Sequence, residues 1–417
     1  MAARHRTSSS VLARWLLGAA CVASAGVHAQ TDQPLLAAVE HNKPAYLRDL
    51  AQLVNLDSGT DDGAGLARVR QVLVDKLQAL GADVRTVAAP PAVGQMVVGT
   101  WHGTGTRNLL LMIHYDTVFG VGEAARRPFK IDGHKAYGPG VADAKGGALM
   151  ILYALDIARA RGFRDYRTLT VLFNPDEEKS SLGSRTLIQQ LSAQQDAVLI
   201  YEPPDAERVI VATNGIAYVH LDVTGLASHA GSAPEKGHNA AIELAHQLLQ
   251  LNQLGDPAKG TTVNWTLLQA GSKPNIIPDH ASATADMRMA DVAELERVQR
   301  DASRLAASTL VPGTTATVQV ENRRPPFSRN PASDQLAALA NTIYGELGKS
   351  IAPVAMRYGT DAGFAYHAGS AKPAVLDGLG IVGDRLHSPD EWADLDSITP
   401  RLYLTVRLLE TLGKTHN

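Results

Sequence analysis

The sequence predicts an α/β fold: an open mixed sheet with helices on both faces, interrupted by an inserted α+β module. Three observations carry this. Leu169-Thr170-Val171-Leu172-Phe173 is a short apolar run of β-forming residues that ends in a turn at Asn174-Pro175, the pattern of a strand buried on both faces of a parallel sheet. Apolar strand-like runs alternate with helical periodicity on either side of it, which is the rhythm of α/β chains. Between residues 214 and 325 that rhythm gives way to the order β-α-β-β-α-β, that of a ferredoxin-like module.

A chain of 417 residues is long enough for two domains and a large core. Its formal charge of -3 gives no reason to expect nucleic acid or an anionic membrane surface as a partner. Residues 1–29 read as a Sec-type signal peptide. Arg4, Arg6 and Arg14 precede an apolar run from Trp15 to Val27, and Val27-His28-Ala29 is a small-residue cleavage site. The run is too short to span a bilayer comfortably, and Gly18-Ala19-Ala20 lacks the aliphatic residue expected before a lipidated Cys21. Cleavage takes the charge from -3 to -6 and removes the only cysteine. The expected product is an exported chain, periplasmic or secreted, that depends on its core and on bound metal rather than on disulfides.

The mature chain begins with helical periodicity from Pro34 to Leu56, and a second helix is predicted from Gly65 to Leu80. Strands follow at Val84–Ala88, Met96–Trp101 and Asn108–His114. The last ends in His114, with Asp116 two residues on. A Gly-rich loop around Asp143 leads into a helix over Gly147–Arg161; it lacks the ending of a phosphate-binding loop. The Leu169–Phe173 strand then delivers Asp176, Glu177 and Glu178, and Ala197–Tyr201 delivers Glu202. The inserted module reads as strands at Ile216–Thr224, Thr262–Gln269, Ala283–Met289 and Thr315–Val320, with helices at Asn239–Leu251 and Val292–Thr309. Ser333–Gly348, Pro373–Leu376 and Ile398–Leu412 return to the α/β rhythm, with His387 in a loop before the last helix. The expected division is 30–213 and 326–417 for the main domain and 214–325 for the insertion.

Open α/β sheets place their sites at the carboxyl ends of strands. There the chain delivers His114, Asp143, Glu178 and Glu202, and His387 makes a fifth candidate ligand. Two histidines and three carboxylates suit a pair of zinc ions sharing one bridging carboxylate. Two such ions about 3.5–4 Å apart hold a hydroxide between them and polarise a carbonyl. Glu177, beside a ligand but unable to aim at the same metal, is the natural general base and acid. Asp116 suits a supporting role, accepting from the ring N–H of His114 and fixing its tautomer. Three adjacent carboxylates at 176–178 also demand a compensating cation.

His114-Tyr115-Asp116, GPGVADAKGG around Asp143, NPDEEKSSLGS, Tyr201-Glu202-Pro203, ASHAGSAPEKGHNA, NIIP and His387 together resemble the co-catalytic zinc aminoacylase/carboxypeptidase family. Within it the likeness is greatest to bacterial glutamate carboxypeptidases of the carboxypeptidase G class, which remove C-terminal glutamate from folates, and it covers essentially the whole chain. The resemblance implies a zinc exopeptidase fold with two Zn2+ per subunit, for which Co2+ or Mn2+ are possible substitutes. Asp143 would be the bridge, His114 and Glu202 would complete one site, and Glu178 and His387 the other. The insertion would be a dimerisation lid, from which His229 reaches the partner subunit's site. Asn275 and Arg288 would bind the substrate's carboxylate side, with Arg208 and Arg324 nearby.

The sequence departs from that family in two places. Ala144 follows Asp143 where close relatives often carry a second aspartate. The loop MRYGTDAG, Met356–Gly363, is less glycine-rich than expected for folate-cleaving enzymes. Tyr358 in that loop would narrow the pocket for the terminal residue, which bears on glutamate preference but not on hydrolysis, and Thr360 joins the substrate-binding candidates. The leading expectation is therefore a homodimeric metallo-carboxypeptidase acting on a substrate with a free C-terminal carboxylate. Alternatives are an aminoacylase or dipeptidase of the same fold with a non-glutamate preference, and a non-catalytic periplasmic binding protein.

Overall fold

The computed structural model describes residues 30–370 and 372–414. The signal-peptide reading of residues 1–29, Cys21 included, falls outside the described residues.

The central sheet has six strands in the order Asp83–Ala88, Gln95–His102, Thr168–Asn174, Asn108–His114, Ala197–Ile200, Ala374–Leu376. The first three are antiparallel neighbours, and the last four run parallel. This is the mixed open sheet expected, with the Leu169–Phe173 run paired on both sides. Its apolar runs are unbroken because both faces are covered. Leu109, Leu111, Ile113, Leu169, Val171 and Phe173 face one core with the helices Gln33–Val54, Lys145–Ala160, Pro331–Glu346 and Ile398–Gly413. Leu110, Met112, Leu172, Val198 and Ile200 face a second core, shared with Ile188 of Arg185–Ser192 and with Phe364 of the short helix Ala362–Ala365.

Local chemistry sets the helix starts. Asp32 accepts from Leu35 N at 2.9 Å and Asp62 from Gly65 N at 2.9 Å, satisfying first-turn amides. The Lys145–Ala160 helix begins two residues earlier than its apolar periodicity indicates. A Cβ at Gly147 would lie 2.2 Å from the Tyr201 carbonyl, so only glycine lets this helix end approach the sheet so closely.

Gly215 to Arg324 builds the insertion. Its four antiparallel strands run in the order Thr262–Ala270, His280–Met289, Gly215–Thr224, Thr315–Arg324. Helices Ala240–Leu251 and Ala293–Ala306 close a separate core around Val219, Leu221, Leu244, Met287 and Val298.

Two small sheets of the main domain were not legible in the sequence. Arg208–Thr213 pairs in parallel with Ala352–Met356. Lys130–Asp132, Lys135–Tyr137, Gly383–Asp384 and Trp392–Asp394 form the other. Strands of two to six residues carry too little periodicity to be read. The second sheet matters for the site, because pairing of Trp392 with Tyr137 pins the His387 loop against the loop that carries Asp143.

Candidate active site

Three adjacent parallel strands end at one edge of the central sheet, and their side chains converge there. Asn108–His114 contributes His114, the turn after Thr168–Asn174 contributes Glu177 and Glu178, and Ala197–Ile200 leads to Glu202. Asp143 enters from the loop ahead of Lys145–Ala160, and His387 from between two short strands. His387 and Arg385 adopt φ of 61° and 56°, the left-handed region that non-glycine residues seldom take. That backbone brings the His387 ring back toward the sheet.

His114 Nε2 lies 3.1 Å from Asp143 Oδ1 and 3.6 Å from Glu202 Oε2. His387 Nε2 lies 3.2 Å from Asp143 Oδ2 and 3.1 Å from Glu178 Oε2. Two groups of potential ligand atoms result, His114/Asp143/Glu202 and Asp143/Glu178/His387, each with its atoms within 4.8 Å of one another. Asp143 gives one oxygen to each. The donor set, one imidazole and two carboxylates per group, fits a borderline-hard divalent cation in both.

The loops are held by groups not singled out in the sequence. Glu391, buried, accepts from Gly140 N at 2.9 Å, Ala142 N at 2.9 Å and Asp143 N at 3.0 Å. Gly140 has φ of 73°, which lets the loop turn under this carboxylate. Asp116 places its carboxylate 3.2 Å and its backbone carbonyl 3.0 Å from His114 Nδ1. Its carboxylate also accepts from Glu177 N at 3.1 Å, Glu178 N at 3.3 Å and Thr60 Oγ1 at 2.7 Å.

The acidic triplet divides three ways. Asp176 turns away and accepts from Gly183 N at 2.7 Å and from Ser184 Oγ. Glu178 faces His387, and Glu177 meets Arg324. Arg324 is the compensating cation that the triplet demands. Its guanidinium donates to the Glu177 carboxylate, to Glu177 O at 2.7 Å and to Gly359 O at 3.0 Å, with Asp361 at 3.7 Å. The structure thus gives Arg324 a partner within the protein, where the sequence pointed to substrate.

Burial and the neighbouring Asp143 charge push the Glu178 carboxyl up to about 8. Hydrogen bonds to Asp143 and Glu178 raise His387 to about 11. Burial disfavours a charged His114, but Glu202, Asp116 and Asp143 outweigh it and hold its pKa well above the ordinary value. Burial opposes ionisation of Asp143, yet the two histidines draw it below the usual carboxylate range. Burial pushes Glu202 well up. The cluster retains protons as cations among its carboxylates, in positions where metal ligation would displace them.

Of the other expected residues, Thr360 lines the same cavity of about 270 Å³, together with Pro203, Tyr358, Gly359 and Leu386. Its hydroxyl is buried and donates to Asp377 at 2.7 Å. Arg288, Asn275, Arg208 and His229 do not line it within one chain. Arg288 pairs with Asp286 on its own strand, Nε to Oδ1 at 2.8 Å, and Arg208 pairs with Asp205 at 3.2 Å. Asn275 is exposed, and its carbonyl accepts from Ala230 N at 2.9 Å. His229 is exposed, with Nδ1 accepting from Gly231 N and Ser232 N, both at 3.1 Å.

The profile of peptidase family M20/M25/M40 matches residues 110–411, which hold every residue of the two ligand groups. The chain belongs to this family. It is 40% identical over 413 residues to carboxypeptidase G2 of Pseudomonas sp. (strain RS-16), covering 98% of each chain. It is 28% identical to acetylornithine deacetylase of Proteus mirabilis (strain HI4320), covering 88% of this chain and 96% of that one. Among solved structures it resembles aminopeptidase PepT of Bacillus cereus, with a TM-score of 0.74, 22% identity, and 89% and 99% of the two chains covered. It also resembles the M20 family metallo-carboxypeptidase Sso-CP2 of Sulfolobus solfataricus, with a TM-score of 0.68, 16% identity, and 88% and 99% covered. As a member of the M20 family this protein is a metal-dependent hydrolase, and its supporting residues follow from the geometry. Asp361 accepts from Asn174 Nδ2 at 2.7 Å and from Ser181 Oγ, and burial pushes it up to about 6. Its signal lay in Thr360-Asp361-Ala362-Gly363. Nothing around Glu391 in the sequence marks it as a loop anchor.

Proposed function

We propose that the protein is an exported, homodimeric exopeptidase holding two divalent ions per subunit, zinc foremost. It hydrolyses the amide joining an acyl or peptidyl group to a C-terminal amino acid, glutamate preferred. The observation that carries this reading is the sharing of Asp143 between two three-residue donor groups with Glu177 beside them. His114, Asp143 and Glu202 would hold one ion and Asp143, Glu178 and His387 the other; ions bound there would polarise the scissile carbonyl and make the attacking water more acidic.

Glu177 takes the proton of that water and returns it to the leaving amine. It is buried, its amide is held by Asp116, and its carboxylate is held by Arg324, so its position does not depend on the substrate. Asp116 orients His114 as a ligand through Nδ1. The likeness to carboxypeptidase G2 supports a carboxypeptidase. For the dimer, Leu267 and Leu268 lie 64% and 55% exposed on the edge strand Thr262–Ala270, and Leu249 on the neighbouring helix is 81% exposed. An unpaired apolar edge of this kind is covered by a twin strand at low cost.

A second reading is an aminoacylase with another side-chain preference. It is favoured by the cavity lining, which contains no lysine or arginine. Purified mature protein assayed against a panel of N-acyl and peptidyl amino acids, with and without chelator, separates the two. Faster cleavage of N-acyl glutamates than of matched N-acyl alanines supports glutamate preference, and the reverse order replaces it with the second reading.

A further inference from the structure

The five candidate ligands are mounted in two different ways. His114 and Glu202 follow strands that pair directly, with Met112 opposite Ile200 and Tyr201 N donating to Met112 O at 3.1 Å. Glu178 follows the strand on the other side of His114, where Asn174 is the partner of His114. The sheet therefore fixes these three relative to one another. Asp143 and His387 come from loops instead. The His387 side chain is 54% exposed, whereas the other four ligand side chains are 9% exposed or less. Packing alone holds His387 less firmly than any other ligand.

The two loops meet at Glu391, which is fully buried. Its Oε2 accepts from Gly140 N, and its Oε1 accepts from both Ala142 N and Asp143 N. Only an ionised carboxylate offers acceptors on both oxygens; an amide of the same shape would turn its own N–H toward one of these donors. In the chain, Glu391 lies four residues after His387. The turn between them is closed by Ser388 N to Arg385 O and by Glu391 N to Ser388 O, both at 3.2 Å. Arg127 Nη1 ties the same turn from outside, through Pro389 O at 2.7 Å. One short, internally bonded segment thus carries His387 at one end and grips the Asp143 backbone at the other. Strand pairing of Trp392 with Tyr137 begins at the next residue and stiffens the contact.

Resting on the two-ion reading above, we infer that Glu391 is a positioning residue of the metal centre: it sets the spacing of His387 from Asp143, and with it the geometry of the Asp143/Glu178/His387 group. It acts through backbone amides and ligates no ion. The His114/Asp143/Glu202 group depends on it less, because that group takes only Asp143 from a loop. The clamp also holds the Asp143 loop before an ion arrives, so that ions enter a formed site.

The test compares zinc affinity, by competition with a chromophoric chelator, in two backgrounds. Glu202→Ala leaves the Asp143/Glu178/His387 group whole, and His387→Ala leaves the His114/Asp143/Glu202 group whole. Adding Glu391→Gln should weaken zinc binding about 10–100-fold in the first background and far less in the second. Cobalt bound in the first background should also change its visible absorption spectrum. Glu346→Gln is the control: it removes a buried carboxylate that binds Arg407 and Tyr403 and neither metal loop, so it should lower thermal stability without moving zinc affinity. Equal weakening in both backgrounds, no weakening in either, or weakening that Glu346→Gln matches overturns the positioning role. Amide exchange in the full-length wild type, before and after chelation, needs no variant to fold. Protection at Gly140, Ala142 and Asp143 should persist after chelation, and exchange there at the rate of an unstructured chain overturns the clamp. If the double variants do not fold, that result decides alone. Failure of the two-ion reading looks different, because Glu202→Ala and His387→Ala then leave zinc uptake unchanged before Glu391 is touched, and both inferences fall together.

Discussion

Arg324 and Glu177 meet across the junction of the two modules. The guanidinium, on the last strand of the insertion and 2% exposed, donates to the carboxylate of Glu177 and to its backbone carbonyl. The guanidinium stays fully charged: burial works against the charge, but Glu177 and Asp361 outweigh it. Removing one member of a buried ion pair strands the other, at a cost of about 3–5 kcal/mol. Arg324→Ala should therefore lose stability of that order in urea unfolding, and kcat should fall with it. A loss under about 1 kcal/mol would mean that the pair does not form in solution. Arg324→Lys should recover stability better than kcat, because a single ammonium cannot reproduce the fork that holds both oxygen positions.

Glu177→Gln keeps the shape of the side chain and removes its proton chemistry. The variant should retain its full metal content and substrate binding while kcat drops about 10²–10⁴-fold or more. Near wild-type kcat with normal metal content would place the general base elsewhere.

Asp143 serves both donor groups and the other four ligands serve one each. Asp143→Ala should thus lower metal content at both sites, whereas Glu202→Ala or His387→Ala should affect mainly one. Chelation should abolish hydrolysis and zinc should restore it. Without metal, His387 keeps its proton, with a pKa raised to about 11, and Glu178 holds one most of the time at neutral pH, with a pKa of about 8. Ligation needs both deprotonated, so zinc uptake should release protons and tighten as pH rises from 6 toward 8. Calorimetry in buffers of different ionisation enthalpy measures this directly; uptake without proton release would refute the ligand assignment.

His229 lies on the exposed surface of the insertion, with Nδ1 accepting two backbone amides. Neutral imidazole then carries its proton on Nε2 and presents it outward as a donor. If that donor serves the partner subunit's oxyanion, His229→Ala should cost about 10²–10³ in kcat. Mixing His229→Ala with Glu177→Gln should then restore activity after subunit exchange, because one site in each heterodimer has both residues intact. Verified exchange without recovery would confine His229 to its own subunit or to no catalytic role.

The sequence by itself determined the α/β class, the order of elements and the identity of all five candidate ligands. Each of those features is local. A buried strand is a continuous apolar run, an insertion is a change of rhythm, and a strand-end ligand follows its strand directly. It also pointed to different roles for Glu177 and Glu178, whose side chains go to different partners, Arg324 and His387. Tertiary structure alone decided what surrounds them. Arg324 reaches Glu177 from 147 positions away in the chain, and Glu391 reaches the Asp143 loop from 248. No spacing rule connects residues so distant. Arg324 therefore read as a substrate ligand until its partner was visible, and Glu391 did not read as anything. The loops at residues 59–62 and 117–121 are likewise brought together by pairing that no local pattern marks, Gly59 with Thr117. Which residues carry the chemistry is a property of types and short spacings, whereas how they are held and charged is set by contacts that only folding creates.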